Sequence, residues 1–148
     1  MEFSNFDMKM FNQARLEAEK SEFEHFKIGA VITYKSKIIG RGCNDEKTHP
    51  MQQRYNKRYR HFHARNGEFI KHSIHAEVAA LVSVSYVTGT NVDWSKAKIY
   101  VYRICHGKKF GYGISKPCPA CLHAIEDMGI KQIYYTDDFG YSYLKLDQ

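Results

Sequence analysis

The sequence predicts an α/β fold in a single domain, with helices packed against a mixed β-sheet. Helical and strand-like patterns alternate along the 148 residues, and each strand–helix–strand passage places its two strands in parallel. Other strand pairs are joined by only a few residues, which allows antiparallel pairing alone. No repeat, low-complexity stretch or linker interrupts residues 1–148, which are therefore interpreted as one domain.

The predicted elements begin with a helix over residues 5–20 and continue with a β-hairpin. The helix has an apolar residue at every fourth position, and Ser4 or Asn5 can cap its start. These apolar residues are Phe6, Met10, Ala14 and Ala18. Two β-rich runs, residues 27–34 and 37–43, then flank a short polar turn, which predicts an antiparallel hairpin.

An insertion over residues 45–73 is polar, basic and aromatic, and it lacks a helical or strand-like pattern. Loops of this length in a compact domain are usually functional or disordered. Its central part contains one acidic residue, Glu68, and six cations: Arg54, Lys57, Arg58, Arg60, Arg65 and Lys71. Such a run either forms a solvated face or clamps phosphates and stacks bases. Under the second interpretation Arg58 and Arg60 bind the substrate.

The second half of the chain predicts two helices and three strands. A helix rich in Ala, Val and Leu covers residues 75–84, and a buried strand follows over residues 97–104. The next helix covers residues 119–129, with proline in its first turn and glycine at its end. A four-residue turn separates the strands at residues 130–136 and 141–146, so the last strand is expected to be antiparallel to its neighbour.

Two short motifs indicate a metal site: H-x-E at residues 75–77 and P-C-x-x-C at residues 117–121. Catalytic zinc takes three protein ligands and leaves a fourth position for water. His75, Cys118 and Cys121 supply three ligands. The two cysteines fall at the N-cap and the third position of a predicted helix, where the unpaired amides and the helix dipole favour thiolates. The sequence therefore predicts Zn²⁺ as the cofactor.

Glu77 is the predicted catalytic acid–base. It lies two residues from His75 and need not bind the metal, so it can take a proton from the attacking water and deliver one to the substrate. A redox C-x-x-C pair and a structural zinc site were also considered. The first usually lacks a paired H-x-E and the second needs a fourth ligand, so the catalytic interpretation is preferred.

The combined pattern H-x-E … P-C-x-x-C resembles the zinc-dependent cytidine and deoxycytidylate deaminase superfamily over about residues 27–136. The resemblance implies a three-layer α-β-α fold. Residues 42–44 are similar to the family's G-x-N, which implies that Asn44 contacts the substrate sugar. It also implies that the backbone amide of Ala76 contacts the base. A turn at residues 48–50 resembles one in phage-type deoxycytidylate deaminases, the most similar group.

The resemblance implies hydrolytic deamination of cytosine in a free nucleotide, converting dCMP to dUMP and ammonia. Histidine as the first ligand excludes the small nucleoside cytidine deaminases, which have cysteine there. The insertion before His75 is similar to the deoxycytidylate group, whereas the short turn before the last strand is similar to cytidine deaminases. Two alternatives stay open: a deaminase acting on cytosine or adenine within single-stranded nucleic acid, and a non-catalytic zinc module that binds nucleic acid. The presence of Glu77 argues against the module.

Composition restricts the setting in which the chain works. Charged residues interrupt the first twenty positions, and no apolar run approaches the roughly 20 residues of a membrane span, so a cytoplasmic protein without membrane contact is expected. In that compartment the four cysteines are thiols or metal ligands. The net charge of +6 favours anionic partners, namely nucleotides or nucleic acid. Since relatives are often oligomers, a homo-oligomer is expected.

Overall fold

The computed structural model describes residues 3–24, 26–59, 72–84, 92–104 and 115–146. The strands of this described part are β1 Lys27–Tyr34, β2 Lys37–Cys43, β3 Lys98–Ile104, β4 Gln132–Asp137 and β5 Gly140–Lys145. They form one sheet in the order β2-β1-β3-β4-β5. Strands β3 and β4 pair in parallel, and the other neighbouring pairs are antiparallel. The predicted mixed five-stranded sheet with an antiparallel last strand is confirmed.

Helices cover both faces of the sheet. They are α1 Asn5–Ala18, α2 Pro50–Tyr59, α3 Ala76–Ser83 and α4 Pro119–Met128, with a short 3-10 helix at Trp94–Lys96. Because side chains alternate along a strand, Val31 and Tyr100 pack against Phe11 of α1, whereas Ile32 and Ile99 pack on the side of α3 and α4. The predicted three-layer α-β-α arrangement is confirmed.

The start of α1 and its packing on β1 follow from short-range chemistry. Ser4 is the N-cap: its hydroxyl accepts from the Asp7 amide, and the Asp7 carboxylate accepts from the Ser4 amide. On β1, Gly29 lies directly against the α1 backbone, where an added Cβ would collide with Ala14 and Ala18. The helix therefore rests on the backbone of the strand.

A second close approach joins β2 to α3. A Cβ placed on Gly42 would lie 2.6 Å from the backbone nitrogen of Ala80 and 2.5 Å from the Cβ of Ala79. Atoms do not approach this closely without displacement, so only glycine fits at this point of β2. The contact fixes the distance between the sheet and the helix that begins next to the H-x-E motif.

The insertion is the place where the sequence interpretation was wrong. Residues 50–59, which show no apolar periodicity, form α2. The inner face of this helix consists of Gln52, Tyr55 and Asn56, all buried, so polar groups occupy positions that are apolar in most helices. Residues 60–71 lie outside the described residues, and with them Arg60, as do Cys105 and the glycine-rich stretch that follows it.

No helix in the described part of the chain combines the length and the apolar character needed to cross a membrane.

Candidate active site

Two adjacent helix starts bring the two sequence motifs together. His75 is the N-cap of α3, and Cys118 is the N-cap of α4. Because Pro119 is the first residue of α4, Cys121 occupies the third helical position, as the sequence predicts. The first amides of a helix have no intrahelical acceptor and carry partial positive charge, so two such ends favour anionic ligand groups between them.

The ligand atoms of His75, Cys118 and Cys121 all lie within 4.8 Å of one another. The Nδ1 atom of His75 is 3.2 Å from the sulphur of Cys121 and 3.5 Å from the sulphur of Cys118. Zinc bonds of about 2.0 Å to nitrogen and about 2.3 Å to sulphur at tetrahedral angles separate two ligand atoms by about 3.6 Å. The donor set and its spacing therefore fit a zinc ion. Within the described ranges no other group of three such side chains meets the same criterion.

The two thiols share a hydrogen bond that separates their acidities. The bond from Cys121, followed by the bond from His75, lowers the pKa of Cys118 to about 4. The same bond to Cys118, together with burial, raises the pKa of Cys121. Cysteines bind zinc as thiolates. The pair therefore favours one thiolate at neutral pH, and metal binding would release the remaining thiol proton.

Glu77 is buried beside the ligand triangle, with 5% of its surface exposed. Burial is the main cause that raises its pKa to about 6, and the positive charge of His75 partly opposes the rise. A carboxyl group in this range exchanges protons readily near neutral pH. The carboxyl also hydrogen-bonds with Cys121, which holds it on the side of the three ligands.

A cavity of about 260 Å³ opens next to these groups. Its described lining contains two of the predicted metal ligands, the Glu77 carboxyl, and a mixed apolar and polar wall: Phe23, Ile28, Asn44, Ser73, Ile74, His75, Glu77, Ser115, Lys116 and Cys118. A ligand in this space would lie against the predicted acid–base and the predicted metal at the same time.

The structure places Asn44 on the cavity wall and Ala76 between two residues that line the cavity, His75 and Glu77. The Asn44 side chain lines it while accepting from the Ile28 amide at 3.0 Å and donating to the Phe26 carbonyl at 2.5 Å, so its orientation is fixed. Ala76 is the first residue of α3 and is fully buried. Its backbone amide is one of the first in the helix, and these amides have no intrahelical acceptor.

The predicted cations of the insertion lie elsewhere. Arg58 is exposed on α2, with its guanidinium 5.3 Å from the centre of the Tyr59 ring, and it is not among the described residues that line the cavity. Arg60 falls outside the described residues. The structure thus brings the ligands, Glu77, Asn44 and Ala76 together, and does not place Arg58 with them.

Sequence reasoning missed several residues at the cavity, among them Ser115 and Lys116. Ser115 is buried, and its hydroxyl donates to the Val101 carbonyl while its amide donates to the Thr136 carbonyl, which ties the segment before α4 to the ends of β3 and β4. Lys116 follows it, exposed, on the cavity wall. The only indication in the sequence that these residues belong to the site is their position just before the P-C-x-x-C motif.

Comparison with protein families gives one match that covers most of the chain. The family model described as "Cytidine and deoxycytidylate deaminase zinc-binding region" matches residues 4–137. No curated protein matches the chain at a significant level.

Solved structures similar in fold include two deaminases. A dCMP deaminase from the cyanophage S-TIM5, in complex with dCMP and dUMP, is 18% identical with a TM-score of 0.56, covering 91% of this chain and 83% of its own. A cytidine deaminase from Burkholderia pseudomallei is 19% identical with a TM-score of 0.59, covering 97% of this chain and 93% of its own. At these identities the likeness concerns the fold.

Proposed function

The chain belongs to the cytidine and deoxycytidylate deaminase zinc-binding family, and from this premise we propose that it is a zinc-dependent hydrolase that deaminates dCMP to dUMP. The observation that carries the proposal is the meeting of two features in one cavity. The buried carboxyl of Glu77 and the ligand atoms of His75 and Cys118 face the same space of about 260 Å³. A structural zinc site has no need of a buried acid or of an adjoining cavity.

Each residue of the site has a part in the proposed reaction. When bound by His75, Cys118 and Cys121, zinc would supply the nucleophile by lowering the pKa of water. Glu77 takes a proton from the attacking water and delivers it to N3 of cytosine as the water oxygen bonds to C4. Glu77 then carries the second water proton to the amine, the C4–N bond breaks, and ammonia leaves.

Substrate recognition is assigned to groups around the cavity wall. The fixed side chain of Asn44 is proposed to contact the sugar, and the backbone amide of Ala76 the base. There are two alternative assignments for the cations that bind the phosphate. Arg58 and Arg60 follow from the basic insertion, whereas Lys116 follows from the cavity lining.

A base within single-stranded nucleic acid is the second candidate substrate. The observation in its favour is the outer face of α2, where Arg54, Lys57 and Arg58 are all exposed and no acidic residue occurs in the first turn. Three neighbouring cations suit several phosphates along a strand. The cavity beside Glu77, of about 260 Å³, has room for one nucleotide, which is why the free nucleotide is preferred.

The decisive experiment is ammonia release by the zinc-loaded protein. The substrates are dCMP, CMP, deoxycytidine, adenosine and single-stranded DNA, each assayed separately. We expect the highest kcat/KM with dCMP. Glu77→Gln should keep its zinc and lose about 10²–10⁴-fold in kcat, because a positioned acid–base group contributes this much.

Glu126→Gln on the exposed side of α4 is the matched control and should retain full activity. Near-normal turnover by zinc-loaded Glu77→Gln would refute the assigned chemistry. Activity on single-stranded DNA alone would replace the free nucleotide with the polynucleotide.

A further inference from the structure

The inner face of α2 carries a chain of buried amides that ends on a metal ligand. Gln52 is 0% exposed and Asn56 is 1% exposed. The Gln52 Nε2 donates to Asn56 Oδ1 at 2.8 Å, and the Asn56 Nδ2 donates to Nδ1 of His72 at 3.1 Å. At the other end, the backbone amide of His75 donates to Gln52 Oε1 at 2.9 Å. Two buried amides in a helix are costly unless their hydrogen bonds are made, so this arrangement needs an explanation.

We propose that Gln52 is a positioning residue that, through the amide of His75, holds the imidazole at its distance from Cys118 and Cys121. The inference rests on the proposed function only in taking zinc as the metal. Only two side-chain torsions separate the backbone of a histidine from its ring. Fixing the amide of His75 therefore restricts where Nδ1 lies, and Nδ1 is the atom 3.2 and 3.5 Å from the two sulphurs.

Helix α2 also contacts the helix that carries the cysteines. The hydroxyl of Tyr55 donates to Asp127 of α4 at 2.6 Å. The ring of Tyr59 stacks on His123 of α4, with centroids 3.7 Å apart and planes 9° apart. One helix thus holds His75 on one side and α4 on the other. The separation between the histidine and the two thiols is determined through α2, although α2 supplies no ligand of its own.

The backbone before His75 is held from the same region. The amide of Ile74 donates to the Lys47 carbonyl at 2.8 Å, and the amide of Asp45 donates to the Ile74 carbonyl at 3.2 Å. These bonds locate the segment, and the Gln52 bond is the next one along the chain. It gives the backbone amide of the first residue of the motif a buried side-chain acceptor.

The test measures zinc affinity without substrate. Gln52→Met preserves the length of the side chain and removes the acceptor for the His75 amide. We expect the Kd for zinc, measured by competition with a chromogenic chelator, to rise about 10–100-fold, as it does when groups that orient metal ligands are removed. The absorption spectrum of the Co²⁺-loaded variant should shift, because the ligand geometry changes. At saturating zinc, kcat should fall while KM for dCMP stays near normal, since Gln52 is not among the described residues lining the cavity.

Gln53→Met is the matched control, because Gln53 is the next residue of the same helix and is exposed. It should leave the zinc Kd and the Co²⁺ spectrum unchanged. A merely structural role for Gln52 would lower the melting temperature of the metal-free protein and leave the zinc Kd of the folded protein unaltered. That result, or a wild-type Kd in folded Gln52→Met, overturns the inference.

Asn56→Leu provides a graded second variant and decides the question if Gln52→Met does not fold. It keeps the bond to His75 and removes the partner of Gln52 Nε2, so the zinc Kd should rise by less than about tenfold. No rise in folded Asn56→Leu, with Gln52→Met unfolded, overturns the inference. A protein that binds zinc and deaminates nothing would refute the proposed function while leaving this result valid.

Discussion

Lys116 provides the sharpest test of how the substrate is recognised. Lys116→Met keeps the apolar stem and removes the charge of the one described lysine on the cavity wall. If Lys116 binds the phosphate of dCMP, the variant should lose affinity for dCMP. Deoxycytidine lacks the phosphate and should be processed unchanged, so the comparison between the two substrates isolates the charge.

The magnitude follows from the exposure of Lys116. A hydrogen bond to a charged group contributes about 1.5–3 kcal/mol when it is shielded from water. Lys116 is exposed, and exposed ion pairs contribute about 0.2–1 kcal/mol because water and salt screen them. The expected loss is therefore about 1 kcal/mol, or about fivefold in kcat/KM for dCMP. The difference should shrink as ionic strength rises, because salt screens the Lys116–phosphate interaction of the wild type, which the Met variant lacks.

The assay is kcat/KM for dCMP and for deoxycytidine, by ammonia release at low and high salt. Lys37→Met, an exposed lysine on β2, is the control and should leave both values unchanged. Arg58→Met tests the competing assignment under the same conditions. An equal loss on both substrates would show that Lys116 acts on the base or on the fold. No loss with Lys116→Met, alongside a loss with Arg58→Met, would assign the phosphate to the insertion.

Three further predictions concern the metal and the stability of the fold. Cys118→Ala should reduce bound zinc from about one per chain to well below one in elemental analysis. Cys43→Ala is the control and should keep its zinc, because Cys43 lies outside the ligand group. Equal zinc in both variants would exclude the assigned ligand set. Tyr100→Phe should lower the free energy of unfolding in urea by about 1.5–3 kcal/mol, because the buried hydroxyl of Tyr100 donates to Asp7. Tyr143→Phe is the control and should lower it much less, because the hydroxyl of Tyr143 makes only a long contact with Gln132. Similar losses in the two variants would reject the reasoning. The hydroxyl of Ser142, followed by the amide of Phe139, lowers the pKa of Asp137 below its usual 3.8, so the stabilisation is present at neutral pH and is lost as the pH falls through the lowered value. Ser142→Ala should therefore be less stable than wild type at pH 7, and the difference should disappear in strong acid; a difference that is independent of pH would contradict this origin.

The fold was predictable where local chemistry specifies it. The start of α4 has proline after Cys118 and its end has Gly129 with φ of 103°, a conformation that glycine adopts without strain. The four residues before the last strand allowed only antiparallel pairing, which the structure contains. In these places a short stretch of sequence determines the geometry without help from distant residues.

Helix α2 was not predictable from periodicity, because its inner face is polar. Gln52 and Asn56 are buried through hydrogen bonds to residues 16–23 positions further along the chain. Sequence periodicity predicts that such residues are exposed, since Asn and Gln side chains usually lie on the surface. The stability of this helix comes from tertiary contacts, including the stacking of Tyr59 on His123, that no local window of sequence contains.

The candidate site was predictable as a set of motifs and not as a cavity. The spacing of H-x-E and P-C-x-x-C indicated the ligands and the acid, since each motif lies within one helical turn. The position of Lys116 on the cavity wall depends on Ser115, which ties this segment to β3 and β4 through Val101 and Thr136. These hydrogen bonds join residues far apart in the sequence, so the place of Lys116 on the cavity wall could not be predicted from the motif.

The contact between Gly42 and α3 limits how this protein can change over generations. Most core positions accept a different apolar side chain because neighbours repack around it. At Gly42 there is no side chain to exchange, and any Cβ would displace the backbone of α3 at Ala80. Displacing α3 would move Glu77 relative to Asn44, which follows Gly42 by two residues and also lines the cavity. Substitutions can therefore alter the apolar residues of the layers, whereas the spacing between β2 and the helix that carries Glu77 tolerates no side chain at position 42.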